Sequence, residues 1–109
     1  MKTKEELEKI KAELMLIHNP LYTIDVPVDE DEIEFRTIFL KKFDRTTLNV
    51  VQKLATGNDS LKAVEVFLKN CIVGGDDLNE IISNLDMLRS LESVVVEMIS
   101  VKQAKLKKN

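Results

Sequence analysis

The chain has 109 residues, of which 44% are apolar and 32% are charged, and its formal net charge is −3. This composition excludes a largely disordered chain and is typical of one domain with a small core. The negative charge and the 5% aromatic content argue against a nucleic-acid-binding protein. A single cysteine excludes an intrachain disulfide and a cysteine-rich zinc site, and it favours a reducing, cytoplasmic compartment. No signal peptide is visible, and no apolar run is long enough to span a membrane.

The first predicted element is a helix over residues 3–17. Thr3 can cap it, and Pro20 predicts that it ends near His18. Its apolar stripe consists of Leu7, Ile10, Leu14 and Ile17. Residues 1–19 are therefore predicted to form a helical appendage that packs on the domain or on a second chain.

Two alternating segments follow, over residues 21–26 and 33–40, and a short polar loop joins them. Alternation with period two predicts strands, so the pair reads as an antiparallel hairpin. Pro27 suits the end of the first strand, because proline cannot donate a ladder hydrogen bond. In the second strand, Phe35 and Phe39 are expected to share one face.

After the hairpin the periodicity becomes helical. A helix is predicted from Asp44, which can cap it, to Gly57. A second helix is predicted to begin at Asp59 or Ser60 and to end at the pair Gly74-Gly75. The sequence thus predicts a helical remainder packed beside the hairpin.

The same spacing continues to the end of the chain. A third helix is predicted from Asp76 or Asp77, followed by a last helix with a wide apolar face. The inward residues of the third are Leu78, Ile81, Ile82, Leu85 and Leu88, and those of the last include Leu91, Val94, Met98 and Val101. The predicted fold class is α+β: an N-terminal helix, a small hairpin and a bundle of about four helices, with residues 20–109 as one domain.

The segment NCIVGGDD, residues 70–77, holds the cysteine and two of the three glycines. A phosphate-binding loop would follow a strand, whereas these glycines follow a predicted helix and precede two carboxylates that repel phosphate. Cys71 completes an apolar stripe, which favours a buried structural thiol. The prediction is a helix-to-helix corner formed by Cys71, Gly74, Gly75, Asp76 and Asp77.

Six carboxylates lie between Asp25 and Glu34. A calcium loop of the EF-hand type needs glycine at its sixth position, and neither Asp25 nor Asp29 as first position supplies it. The only histidine, His18, lies on the appendage and offers no partner for a metal pair or a cysteine nucleophile. No catalytic residue, cofactor or metal is therefore predicted.

Two apolar runs, Leu14–Ile17 and Val94–Val96, wrap around their helices and cannot all face one small core. Some of these side chains should meet another copy, in a homo-oligomer, or an extended client segment. The candidate contact residues are Phe35, Phe39, Leu91, Val95, Met98 and Ile99. This pattern favours a binding protein over an enzyme.

Three segments carry a resemblance to a known family: FLKKFDRTTL (39–48), VFLKNCIVGGDD (66–77) and the lysine-rich end VKQAKLKKN. Their order resembles that of the small tail assembly chaperones of long-tailed (siphovirus-like) phages and related prophages, over roughly residues 21–109. The chain departs from the family pattern at Phe43, where the pattern has proline. The N-terminal helix lies outside the resemblance.

The resemblance implies binding without a cofactor. Proteins of this family are expected to bind the tape measure protein and to keep it soluble until tail tube subunits polymerise around it. The alternative is a small regulatory or nucleic-acid-binding protein that uses the basic tail, with Lys102, Lys105, Lys107 and Lys108. The acidic total makes nucleic acid the less favoured partner.

Overall fold

The computed structural model describes residues 2–28 and 34–99. In chain order its elements are α1 (Lys4–Met15), β1 (Leu21–Pro27), β2 (Phe35–Lys41), α2 (Arg45–Thr56), α3 (Ser60–Cys71), β3 (Ile72–Gly75), α4 (Leu78–Ser83) and α5 (Leu85–Ile99). The predicted α+β fold class is confirmed, with the N-terminal helix, the hairpin and four later helices. None of the helices in the described part is long and apolar enough to cross a membrane.

The capping side chains before α1 and α2 act as the sequence predicts, whereas Asp59 before α3 makes no side-chain capping hydrogen bond. The Thr3 side chain accepts a hydrogen bond from the Glu6 N–H at 3.2 Å, and Asp44 accepts one from the Thr47 N–H at 2.8 Å. Each such bond satisfies a backbone donor that the first turn of a helix leaves without a partner. Gly57 follows the last residue of α2. The helix α1 ends at Met15, earlier than the predicted end near His18.

The predicted helix-to-helix corner at Gly74 and Gly75 is wrong. The helix α3 already ends at Cys71, and Ile72 has extended dihedrals, φ −66° and ψ 132°. Residues Ile72–Gly75 form β3, which pairs antiparallel with β2 and gives a three-stranded sheet in the order β1-β2-β3. Pairing with β2 outweighs the weak strand propensity of glycine, because it satisfies the backbone groups of both segments.

The sheet separates two layers of helix. Its core face packs against the later helices through Ile24, Val26, Ile38 and Leu40. Its other face carries Phe39, Thr37 and Asp25 beneath α1, which contacts β3. Because β2 is covered on both faces, three consecutive residues of this strand, Ile38–Leu40, are buried.

The core is centred on α3 and α5, whose buried residues include Phe67, Leu68, Leu91 and Val95. Phe67 is completely buried, and its ring centroid lies 5.7 Å from that of Phe43. Tilted aromatic pairs at this distance are favourable. Phe43 therefore supports the core at the junction of β2 and α2.

The helices α4 and α5 meet at Asn84. Its side-chain oxygen accepts hydrogen bonds from the N–H groups of Asp86 and Met87, at 3.0 and 3.2 Å, and so caps α5. This break displaces Leu85 from the inward stripe that the spacing predicted, and Leu85 is 50% exposed. Ile81 and Leu88 are buried as predicted.

Candidate partner-binding surface

The six candidate contact residues fall into two groups. Phe39, Leu91 and Val95 lie inside the fold, with 1, 1 and 2% of their surface exposed. Phe35 is 43% exposed, while Met98 and Ile99 are half-buried against the core. In this structure the set therefore does not form one continuous surface, because half of it serves the protein's own core.

The strongest exposed apolar feature is the Met15–Ile17 run at the end of α1. Met15, Leu16 and Ile17 are 56, 89 and 75% exposed. The run includes the last residue of α1 and the turn after it, where the chain leaves the helix before β1. Other exposed large apolar residues in the described part are spread over several elements: Tyr22, Phe35, Val50, Leu85 and Val96.

A groove of about 250 Å³ lies between α1 and the outer face of the sheet. Its lining residues are Lys4, Leu7, Glu8, Lys11, Thr23, Asp25, Thr37 and Phe39. The Thr37 hydroxyl donates a hydrogen bond of 2.6 Å to the Asp25 carboxylate, which orients both side chains across the two strands. The groove thus combines apolar walls with two lysines and a glutamate from α1 and with a carboxylate from the sheet.

Asp76 ties the N-terminal segment to the sheet. One of its carboxylate oxygens accepts the backbone N–H of Lys2 at 2.8 Å, and the other accepts the backbone N–H of Thr37 at 2.8 Å. The Asp76 N–H donates to the Thr37 carbonyl oxygen at 2.8 Å. We call Lys2, Thr37 and Asp76 the Asp76 clamp; its carboxylate belongs to a residue that is 6% exposed.

The two aspartates of the segment therefore have different roles. Asp77 accepts a hydrogen bond from the Asn79 N–H at 3.0 Å and caps α4, as one of the two predicted alternatives. Asp76 is not a helix cap. The clamp was missed because the sequence does not reveal β3, although two adjacent aspartates before one helix leave one of them without a capping role.

Two glycines allow close approach around this clamp. A Cβ atom on Gly74 would lie 2.9 Å from Leu14 Cδ1 and 3.2 Å from Ile10 Cγ2, so α1 sits directly on its backbone. Gly75 has φ +113°, and a Cβ atom there would clash with the Thr37 carbonyl oxygen. Both close contacts are possible only because glycine has no side chain. Gly75 also adopts a backbone conformation that other residues rarely adopt.

Cys71, at the end of α3, is fully buried as predicted. Burial raises the pKa of its thiol to about 11, because a thiolate would lose hydration. The nearby charge of Lys41 lowers this pKa, and that of Asp44 raises it. At neutral pH the thiol is protonated, which makes it a poor nucleophile.

Arg36 was not singled out from the sequence. It extends from β2 and forms ion pairs with Glu34 at 3.0 Å and with Glu80 of α4 at 3.1 Å. The hydrogen bond to Glu34 and the nearby carboxylates raise its pKa, against the opposing effect of burial. Arg36 therefore joins the sheet to the start of the last helical pair.

Within the described residues, no three His, Cys, Asp or Glu side chains form a group suited to a metal ion. Nor does any buried side-chain nitrogen or oxygen of that part lack a hydrogen-bond partner. Most of the acidic run (residues 29–33) and the basic tail (residues 100–109) lie outside the described residues. Among the described residues, the exposed Met15–Ile17 run and the groove beside α1 are the candidate surfaces for binding.

Comparisons with protein-family models, with curated proteins and with solved structures gave no match to this chain.

Proposed function

We propose that the protein is a tail assembly chaperone of a long-tailed phage or prophage, which binds the tape measure protein in the bacterial cytoplasm and keeps it soluble. It acts by binding and uses no catalysis. The order of three sequence segments supports the family, and the exposed apolar surface supports the mode of action. These two supports are independent, because the Met15–Ile17 run lies outside the segments that carry the resemblance.

The observation that carries the proposal is the exposure of Met15, Leu16 and Ile17, at 56, 89 and 75%. Together they correspond to about two fully exposed apolar side chains, whose burial would contribute about 3–6 kcal/mol. A helical client with apolar residues at spacings of three and four could bury them. A chain without a partner gains nothing from presenting such side chains to water.

Co-expression with the tape measure protein tests the proposal. We expect a complex and an increase in the soluble fraction of the tape measure protein. Replacing the three residues of the Met15–Ile17 run by serine should remove most of this effect without unfolding the chaperone, because all three are exposed. Val50→Ser is the matched control, since Val50 is 41% exposed on a different element.

The proposal fails if the wild-type chain forms no complex and leaves tape measure solubility unchanged. It also loses its carrying observation if the serine variant protects the tape measure protein as well as the Val50→Ser control does. Size-exclusion chromatography of the chain alone shows whether the same run instead joins two copies into a homo-oligomer, because the serine substitutions would then shift the elution volume.

A further inference from the structure

We infer that α1 is a displaceable helix, and that the sheet face beneath it is a docking site for an amphipathic helix of the client. This inference rests on the proposed function for the identity of the client. The face itself is defined by the described residues: Phe39 and Gly74 form its apolar part, and Thr23, Asp25 and Thr37 form its polar part.

The helix α1 is less well buried than the other long helices. None of the residues of Lys4–Met15 is buried, whereas α2, α3 and α5 each bury two or more residues. The groove of about 250 Å³ remains between α1 and the sheet. Elements with few buried apolar contacts open at the lowest free-energy cost, so α1 should leave the sheet before the rest of the fold opens. Its departure also breaks the hydrogen bond from the Lys2 N–H to Asp76, which the helix peptide of a competitor can replace.

The present occupant shows which helix the face accepts. Ile10 and Leu14 approach Gly74 closely enough that an added Cβ atom would meet both side chains. Lys4, Glu8 and Lys11 of α1 line the same groove as the Asp25 carboxylate. The two lysines outnumber the one glutamate, so the helix side of the groove is net positive and complements the charge of Asp25. The face therefore fits a helix with apolar residues at spacings of three and four and with lysines beside them.

Displacement would also explain why the face is covered. Phe39 is 1% exposed with α1 in place. Without α1, this ring would be presented to water and would promote aggregation. A resident helix protects this face until a client binds. The client's apparent association constant is then its intrinsic value multiplied by the fraction of chains in which α1 is undocked.

The test uses the full chain and a fluorescent peptide of residues 2–18 as the competing helix. The chain variant Leu7→Ala/Ile10→Ala/Leu14→Ala weakens the resident helix but leaves the sheet face intact. Alanine keeps helix propensity high. We expect this variant to bind the peptide at least about tenfold more tightly than the wild-type chain, because more of its faces are open.

Adding Gly74→Val to this variant is the matched change on the sheet side. The valine side chain would occupy the space of Leu14 Cδ1, so peptide affinity should fall by at least about tenfold. A peptide carrying Leu14→Ala should recover part of the lost affinity, because it makes room for the valine. General destabilisation of the fold would not produce this recovery.

Equal peptide binding by all the chains would overturn the inference. So would failure of the triple alanine variant to fold, since α1 would then be an integral part of the core. Hydrogen exchange of the wild-type chain gives a second measurement: amides of α1 should exchange faster than those of α3 and α5, and equal protection would contradict a displaceable helix.

The inference and the proposed function fail separately. If the triple alanine variant binds the peptide no more tightly than the wild-type chain, α1 is not displaceable, whether or not the tape measure protein binds. If the variant binds the peptide more tightly as expected but the chain has no effect on tape measure solubility, the proposed function is wrong and the helix-docking face is still supported. Displacement of the bound peptide by a helical segment of the tape measure protein would support both.

Discussion

The Asp76 clamp predicts a large difference between two neighbouring aspartates. Asp76 is 6% exposed and accepts two backbone N–H groups at 2.8 Å, whereas Asp77 is exposed and caps a short helix. Hydrogen bonds to a charged acceptor contribute about 1.5–3 kcal/mol each to the free energy of unfolding, and a buried donor left without an acceptor adds a desolvation cost. Because Lys2 is only half-buried, its N–H can turn to water, so Asp76→Ala should lower the free energy of unfolding by about 2–4 kcal/mol.

The matched control is Asp77→Ala, for which loss of a helix cap should cost about 1 kcal/mol. Asp76→Asn should fall between the two, because an amide of the same size can accept one N–H but presents its own donor to the other. Urea unfolding followed by circular dichroism measures all three, with an unchanged m-value expected. If Asp76→Ala destabilises the protein no more than Asp77→Ala does, the clamp contributes little and its assignment is wrong.

Three further predictions concern other residues of the fold. Gly75→Ala should lower the free energy of unfolding by at least about 3 kcal/mol, because it combines a positive φ with a backbone clash, while Gly57→Ala should lower it by about 1 kcal/mol or less. Urea unfolding measures both losses, and equal losses would contradict the strain at Gly75. Cys71, with its pKa raised to about 11, should resist alkylation at pH 8 until the chain is unfolded, and rapid alkylation of the native chain would contradict its burial. The contribution of the protonated thiol to the free energy of unfolding should be present below about pH 9 and be lost as the pH rises towards 11. The hydrogen bond from the Thr47 N–H lowers the pKa of Asp44. The charged cap should therefore stabilise α2 above the ordinary aspartate pKa of 3.8, and this stabilisation should be lost as the pH falls through the depressed pKa. The melting temperatures of the wild-type chain and of Asp44→Asn should differ at pH 7 and converge in acid.

The helices were predictable because their signals are local. The capping side chains of Thr3 and Asp44 act within one turn of their own helices, and Gly57 follows α2 directly. Periodicity also located a core residue of α3, because Cys71, which completes the predicted apolar stripe, is buried. Such signals need no knowledge of distant parts of the chain.

The strand β3 could not be predicted from local pattern. Two of its four residues are glycines, which have weak strand propensity, and its partner β2 lies far away in the sequence. Once β3 is missed, Asp76 is available only as a helix cap, so the clamp is missed with it. The local pattern therefore favours a helix-to-helix corner, and pairing with β2 overrides it.

The candidate surface was predictable only in part. The sequence marks Leu14–Ile17 as surplus apolar residues, and the structure exposes the last three of them. The pattern does not show how much of a wide apolar helix face is covered by the chain itself. It predicts Leu91 and Val95 as contact residues, whereas the structure places both in the core. Alternation was similarly ambiguous for Phe39, because β2 carries buried residues on both faces.

The position of β3 has a consequence for how the protein reaches its fold. The strands β2 and β3 are neighbours in the sheet, but residues 42–71, which include α2 and α3, separate them in the chain. On the ribosome, α1 and the hairpin emerge before β3, and one edge of β2 has no partner until Gly75 has been synthesised. The contacts between α2 and α3 are local and can form in the meantime, and they shorten the loop that β3 must close. The docking of β3 should therefore come after these local contacts, and it closes the edge of β2 that was open to other chains until then.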